Sequence, residues 1–376
     1  MKILQIITEL GGGGAEKVLA DLCCGLHRAG HRTTVLSLLG EPADRTIPDR
    51  LQACGAEIIY LNGRKYDPLL PFRIRSVIRA VQPDLIHTHL IHPNLLSRPA
   101  CTGMKIPLIN TVHTAEKRFG KWFYFLLDRL TCCLADCITA VSPAAAVFQE
   151  QRLHLRPGTI RVIRNGADPV PPMPPDIRRK LRSSLVPEDT TRVIGCVGRL
   201  DRMKGFDLLL DRLDAVNAVI PDGEKWTILI FGSGPLQKKL EQRLANGTQY
   251  SNLTVKLAGY RPDAPALMGI FDVFLSTSRC EGYGLAVAEA MCLGLPVVCN
   301  AADAVPELCR MYDGNAFLFD IQSDTTGSDM ASKLLMASKC TPTCGKVLMP
   351  VDRMIRSYLA LYRLLLKRNK AGGNAR

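Results

Sequence analysis

No uninterrupted apolar run in this 376-residue chain reaches the roughly 20 residues that span a bilayer. The longest candidate, Trp122 to Cys133, is broken by Asp128 and Arg129, so no transmembrane helix is expected. Met1-Lys2 leads directly into the strand-like Ile3-Leu4-Gln5-Ile6-Ile7-Thr8. The charged and apolar regions of a secretory leader are missing there, and a reducing cytoplasm is the expected compartment. Tryptophan occurs only twice, and no aromatic pair of the RNA-binding type is present, which argues against nucleic acid as a partner. Cysteines number 14, but paired spacing is scarce. Cys340 and Cys344 have no second Cys or His pair nearby to complete a zinc site, and Cys23, Cys24, Cys132 and Cys133 sit in apolar runs where buried thiols are common.

What is present is a globular composition, 47% hydrophobic and 22% charged, in a chain long enough for two domains. The net charge of +13 then concerns surfaces that meet anionic lipid or phosphorylated ligands.

Short β-rich runs alternate with amphipathic stretches through the first half. Lys2–Thr8 reads as a strand, followed by a glycine run and a helix over Glu16–Ala29 with Val18, Leu19, Leu22 and Leu26 on one side. Strands at Thr33–Leu38, Ile58–Leu61, Asp84–Thr88, Pro107–Val112 and Cys137–Val141 and helices at Phe72–Val81 and Lys121–Leu134 continue the pattern. A stiff proline-rich segment, Pro169 to Pro175, interrupts it. The pattern restarts with strands at Val193–Val197, Trp226–Phe231, Thr254–Leu257, Val273–Ser276 and Pro296–Cys299. Helices are read between them at Gly205–Val216, Leu236–Gly247 and Leu285–Leu293, and at the end over Met354–Lys367. This is an α/β chain of two doubly wound parallel sheets. Its expected domains are 1–168, with the helix near 354–370 packing back on it, a linker at 169–191, and 192–353. Ligands of such folds bind at strand C-termini, here expected in a cleft between the two domains.

Three loops can carry chemistry. Gly11-Gly-Gly-Gly-Ala-Glu16 joins the first strand to the first helix; it suits a ligand approaching the backbone, or equally a plain tight turn. Gly198-Arg-Leu-Asp-Arg-Met-Lys-Gly205 sets Arg199, Arg202 and Lys204 at a strand-to-helix junction, where cations can clamp a diphosphate or form a solvated basic loop. Glu281-Gly-Tyr-Gly-Leu-Ala-Val-Ala-Glu289 places one carboxylate before a glycine turn and another one turn into the next helix. The turn can aim N–H groups at phosphate while both carboxylates accept from hydroxyls, as a sugar nucleotide requires. The alternative is a capped helix with two surface acids.

These loops, with Pro83-Asp-Leu-Ile-His-Thr-His89, Thr111-Val-His-Thr114, Val162-Ile-Arg-Asn-Gly-Ala-Asp168, Phe231-Gly-Ser-Gly-Pro235 and Gly259-Tyr-Arg-Pro-Asp263, resemble family 4 of the retaining glycosyltransferases over nearly the whole chain. The resemblance implies the GT-B fold, two Rossmann-like domains facing across a cleft, the first on the acceptor side and the second binding the nucleotide sugar. It implies that Arg199 and Lys204 bind the donor diphosphate and neutralise the leaving group. Glu281 would hold the donor sugar, Gly282, Tyr283, Gly284 and Leu285 would offer backbone amides to phosphate, and Glu289 would bind the ribose. Gly13 and Gly14 would complete the phosphate site from the first domain. Gly232 belongs to the donor site, and Tyr260 and Arg261 to the strip beside the base. His113 resembles the family's active-site histidine, in contact with the donor sugar near the reacting carbon.

The catalytic set expected on these grounds is Glu281, His113, Arg199 and Lys204, acting without cofactor or metal. No Asp-x-Asp occurs, so the metal motif usual among glycosyltransferases is missing and the two cations stand in for it. No acid near the glycine loop is placed as a nucleophile, which suits front-face substitution with the leaving diphosphate taking the acceptor's proton. The donor is a nucleotide-diphosphate sugar, expected to be UDP-linked. The resemblance implies an acceptor that is a saccharide or a polyprenyl or other lipid-linked species in cell-surface polysaccharide or glycolipid synthesis. Alternative readings are a non-hydrolysing UDP-sugar 2-epimerase and a non-catalytic nucleotide-sugar-binding protein.

His87, His89 and His92 read as structural or acceptor-side residues in preference to metal ligands. The basic residues Arg64, Lys65, Arg73, Arg75, Arg79, Lys117, Arg118 and Lys121 lie near Trp122, Phe123, Tyr124 and Phe125. They make the first half either a face for an anionic membrane, at the inner side of the cytoplasmic membrane, or a solvated surface over core aromatics. One departure from the family stands out. Ala301-Ala-Asp-Ala-Val-Pro-Glu307 replaces its usual Gly-Gly, so a turn of different shape is expected there.

Overall fold

Aliphatic and β-branched residues concentrate in short runs, and those runs become the strands. The structure is a computed structural model describing residues 1–64, 67–113, 122–169, 171, 173–343 and 349–372, with only the backbone of 371 and 372. Its first seven strands are β1 (Lys2–Ile7), β2 (Arg32–Ser37), β3 (Glu57–Tyr60), β4 (Leu85–His89), β5 (Leu108–Val112), β6 (Cys137–Ala140) and β7 (Arg161–Val162). They pair in parallel in the order β3-β2-β1-β4-β5-β6-β7. Six more follow: β8 (Arg192–Val197), β9 (Trp226–Phe231), β10 (Leu253–Leu257), β11 (Val273–Ser276), β12 (Val297–Asn300) and β13 (Ala316–Phe319). These form a second parallel sheet, β10-β9-β8-β11-β12-β13. Both orders are of the Rossmann type, reversing after their first strand.

Two compact units result, Met1–Gly166 with Met349–Arg376, and Ala167–Leu348. In the first, helix Gly14–Arg28 buries Val18, Leu19, Leu22 and Leu26, the stripe its periodicity indicates. The terminal helix Val351–Gly372 buries Met354, Ile355, Tyr358, Leu359 and Tyr362. A Cβ on Gly25 would stand 2.1 Å from Ile355 Cδ1, so glycine there lets the two helices close.

Helices Ile91–Cys101, Trp122–Thr131 and Pro143–Leu153 are joined by a buried charge cluster. Arg98 donates to Asp128 Oδ1 at 2.7 Å and to Asn110 Oδ1 at 2.8 Å. Gln149 and Arg152 donate to Asp128 Oδ2 at 2.7 and 3.2 Å.

In the second unit Ile194, Leu209, Val216, Ile228, Leu275 and Leu334 share one core. The segment 169–191, read as a linker, contains a helix, Pro175–Leu185. Arg178 and Arg182 tie it to Asp272 at 2.9 Å each, although Ile177, Leu181 and Leu185 recur at helical spacing just after the proline run. The single helix read over Gly205–Val216 is two, Phe206–Leu210 and Leu213–Ala218. Between them buried Arg212 turns inward to the carbonyls of Ile321 and Asp324.

Candidate functional site

Both chemistry-bearing loops of the second unit leave neighbouring strands. β8 runs into Gly198–Lys204 and β11 into Thr277–Glu281, and this is the pair at which the strand order reverses. In open α/β sheets a crevice for ligands opens at that point. Asp201 caps the turn Arg202–Lys204, its carboxylate accepting from the amides of Met203 at 2.9 Å and Lys204 at 3.2 Å. Gly205 follows at φ 71°, where a Cβ would stand 2.1 Å from the Thr277 carbonyl oxygen. Only glycine allows the two loops to meet there. Thr277 Oγ1 then donates to the Lys204 carbonyl at 3.1 Å.

The outcome is a lysine aimed at a carboxylate. Lys204 Nζ lies 2.5 Å from Glu281 Oε1, and Ser278 Oγ donates to the same oxygen at 2.7 Å. The Glu281 side chain is only 10% exposed and that of Lys204 26%, so the pair is partly withdrawn from water. Arg199, with its side chain 68% exposed, stands 3.8 Å from Asp201. Arg202 goes elsewhere, lining a cavity of about 280 Å³ with Asp207, Lys239, Arg243 and Arg279.

Beyond Glu281, Tyr283 and Glu289 are buried, and Gly284 at φ 84° caps helix Leu285–Cys292. The first amides of any helix have no partner within it, and this cap brings no side chain to them. A side chain at Gly232 would overlap the Gly198 carbonyl, 1.9 Å away. The Gly232 amide donates to the Gly259 carbonyl at 2.8 Å. Tyr260 is exposed, and Arg261 grips Asp263 through two bonds of 2.9 and 2.8 Å.

Sequence reasoning missed the supports. Asp201 holds the Lys204 turn, and Ser278, Asn300 and Asp303 hold the Glu281 segment: Asn300 Nδ2 donates to the Ser278 carbonyl at 2.8 Å and the Glu281 amide donates to Asp303 Oδ2 at 2.9 Å. Asp303 sits at φ 42°, uncommon for a residue with a side chain. The departure at 301–307 was the signal for it: the turn is left-handed without glycine, and its aspartate braces the catalytic candidate.

In the first unit Gly13 caps helix Gly14–Arg28, and a Cβ on it would meet Glu16 Oε2 at 2.2 Å. His113 follows β5 and lines a cavity of about 30 Å³ with Asn94, Tyr124, Phe125, Asp128 and Arg152. It belongs to a buried lane of polar groups. His113 Nε2 contacts His89 Nδ1 at 2.9 Å, and His89 Nε2 contacts Gln5 Oε1 at 2.9 Å. His87 joins Tyr362 at 2.7 Å and Thr111 at 2.6 Å. His92 lies edge-on to Tyr124. Among the described residues no group of three or more His, Cys, Asp or Glu is arranged to hold a metal ion.

Burial drives the rings toward neutrality. His113 is pushed down to about 4, and His87 and His89 fall well below the ordinary 6.5, with neighbouring histidines adding to the effect. The unfolded chain takes up these protons near pH 6.5 and the folded unit does not. Stability is therefore full above that pH and falls as pH drops through the window toward 4, by about 1.4 kcal/mol per pH unit for each ring. Thermal unfolding at pH 7.5, 6.5 and 5.5 is expected to show a steep loss in the last step. An unchanged melting temperature would contradict the neutral network.

Known protein families match both halves of the chain. The model for Glycosyltransferase Family 4 matches residues 12–170, and that for Glycosyl transferases group 1 matches 191–336. A lipopolysaccharide core biosynthesis mannosyltransferase, LpsB, of Rhizobium meliloti is 28% identical over 54% of this chain and 55% of its own length. An Escherichia coli UDP-Gal:alpha-D-GlcNAc-diphosphoundecaprenol alpha-1,3-galactosyltransferase is 26% identical over 59% of each. The match thus spans little more than half the length of these curated relatives. The structure of Anabaena HepE in complex with UDP and glucose superimposes with a TM-score of 0.77 at 21% identity, over 96% of this chain and 99% of that one. That likeness shows a common fold, two Rossmann-like domains of the GT-B class. With one domain model matched in each half and the same fold in both, this chain belongs to the family 4, group 1 glycosyltransferases.

Proposed function

We propose that this chain transfers a hexose or N-acetylhexosamine from a nucleotide-diphosphate sugar, UDP-linked, to a saccharide or lipid-linked acceptor, with retention and without a metal. The observation that carries the reading is the Lys204–Glu281 pair at 2.5 Å on the reversal point of the second sheet. A diphosphate arriving there takes the ammonium, and the carboxylate so freed accepts from sugar hydroxyls. Arg199 is exposed beside it to share the phosphate charge. In the transfer, the acceptor oxygen bonds to the anomeric carbon on the face the diphosphate leaves, the sugar–phosphate bond breaks, and the acceptor's proton passes to the departing phosphate oxygen. That step needs fixed positive charge more than a protein base. Support for the donor class comes from the galactosyltransferase and from HepE, whose names carry UDP-Gal, and UDP with glucose.

A thermal-shift panel of UDP-, GDP-, ADP- and CDP-sugars tests this. A true donor at a hundredfold its Kd stabilises by about 2.7 kcal/mol, a rise of roughly 5–11 °C. UDP-sugars should give that shift, and EDTA should leave transfer unchanged. A flat panel, or abolition by EDTA, would overturn the reading. NMR of the nucleotide sugar incubated alone separates transfer from 2-epimerisation.

The acceptor side favours a membrane surface. Helix Trp122–Thr131 exposes Trp122 at 70%, Phe123 at 56% and Leu130 at 64%, with Arg129 among them, and Phe72 is 70% exposed beside Arg73. Apolar side chains flanked by cations suit an anionic headgroup layer. Co-sedimentation with phosphatidylglycerol vesicles is expected, and Trp122→Glu with Phe123→Glu should weaken it at least tenfold, two apolar side chains being withdrawn from the layer. Equal binding by that variant would sink the membrane reading.

A further inference from the structure

The buried lane of the first unit has a direction. Tyrosine and threonine hydroxyls and neutral imidazoles can be read either way along a hydrogen-bonded chain, whereas a primary amide has an oxygen that only accepts and a nitrogen that only donates. Gln5 is that amide. It lies on β1 in register with His87 on β4, its oxygen 2.9 Å from His89 Nε2 and its nitrogen 3.4 Å from the Tyr362 hydroxyl. His89 must then carry its proton on Nε2, leaving Nδ1 as a lone pair. That lone pair is 2.9 Å from His113 Nε2, a contact that is a hydrogen bond only when His113 is protonated on Nε2.

The other arm closes consistently. Tyr362 accepts from Gln5 and donates to His87 Nδ1 at 2.7 Å. His87 Nε2 then donates to Thr111 at 2.6 Å, and Thr111 to Thr139 at 2.6 Å. Gln5, His87, Thr111 and Thr139 are fully buried and His89 is 1% exposed. Water is not at hand to replace a missing partner, and reversing one bond would reverse them all.

We propose that Gln5, acting through His89, holds His113 as its Nε2–H tautomer and so presents the His113 Nδ1 lone pair as an acceptor for a hydroxyl of the donor sugar. Gln5 and His89 are positioning residues, and His113 is the one that touches ligand. The inference rests on the contact with the donor sugar that the family resemblance implies for His113.

Long-range ¹H–¹⁵N correlation spectra of the full chain labelled at its 7 histidines report each ring's tautomer, with His113 assigned by its loss in His113→Ala. The expected wild-type state is Nε2–H. Gln5→Met should release it to Nδ1–H or a mixture and weaken UDP-glucose binding about tenfold, one hydrogen bond's worth, while UDP alone binds as before. Gln5→Glu keeps an acceptor for His89 and should retain the tautomer. An Nδ1–H His113 in the wild type overturns the proposal, and that spectrum decides even where Gln5→Met does not fold. So does a Gln5→Met protein with unaltered tautomer and unaltered preference for UDP-glucose over UDP. Undiminished UDP-glucose binding by His113→Ala would defeat the donor-contact reading instead, whatever the tautomer.

Discussion

Lys204→Met is expected to cut kcat/KM for sugar transfer by about 10²–10³, the usual cost of removing one preorganised group facing developing charge, in a protein that still folds. Methionine keeps the aliphatic stem that covers Gly198, whose Cβ would lie 3.2 Å from it, and removes only the ammonium. In the proposed transfer, negative charge would grow on the departing diphosphate as the sugar–phosphate bond breaks, and a cation already in place would stabilise it without reorganising solvent. Glu281 loses its counter-charge, but other partners limit the cost to the fold. Glu281 keeps the Ser278 hydroxyl at 2.7 Å and a backbone anchored on Asp303 at 2.9 Å. Glu281→Gln separates the two jobs. If Glu281 serves as a hydroxyl holder it should retain more transfer than Glu281→Ala, because the amide still offers an oxygen. Initial rates alongside melting curves decide, and transfer by Lys204→Met close to the wild-type rate would remove Lys204 from the machinery.

The second large effect concerns stability. Asp128→Ala leaves the guanidinium of Arg98, whose side chain is 1% exposed, buried without its counter-charge. Breaking such a pair from one side costs about 3–5 kcal/mol, which for a unit of this size lowers the melting temperature by roughly 6–20 °C. The single carboxylate also holds Gln149 and Arg152, so three helices lose their common anchor. Removing both charges with apolar residues, as in Arg98→Met with Asp128→Leu, should recover much of the loss, since the penalty lies in the orphaned charge more than in the missing attraction. Calorimetry of the single and double variants tests this. A single variant as stable as the wild type would show that water reaches Arg98.

How much of this could be read from residues depended on what each element buries. Trp226–Phe231 and Val273–Ser276 appear where their apolar runs put them, and helix Gly14–Arg28 shows its stripe openly. Helix Ile91–Cys101 does not. It contains Pro93 and Pro99, and its buried positions include Asn94, Ser97 and Arg98, so it carries helix breakers and no apolar period. Helix Pro143–Leu153, with Gln149 and Glu150 inside, hides for the same reason. At the candidate site, Lys204 and Glu281 were legible because glycines flank both and mark close backbone approach. Asp303 and Gln5 were not. Their significance lies in partners 22 and 357 residues away, and no local spacing encodes that.

The covering of the histidine lane by Tyr362 also sets an order of events in the cell. His87 and its partner Tyr362 are separated by 275 residues, and at ordinary synthesis rates of about 5–20 residues per second that interval lasts roughly 14–55 s. Throughout it the nascent first unit has a sheet face lined with Gln5, His87 and Thr111 and no helix to lay over it, while the residues of the second unit emerge in full. Of the two units, the one whose synthesis starts earlier is thus completed only after the other has emerged.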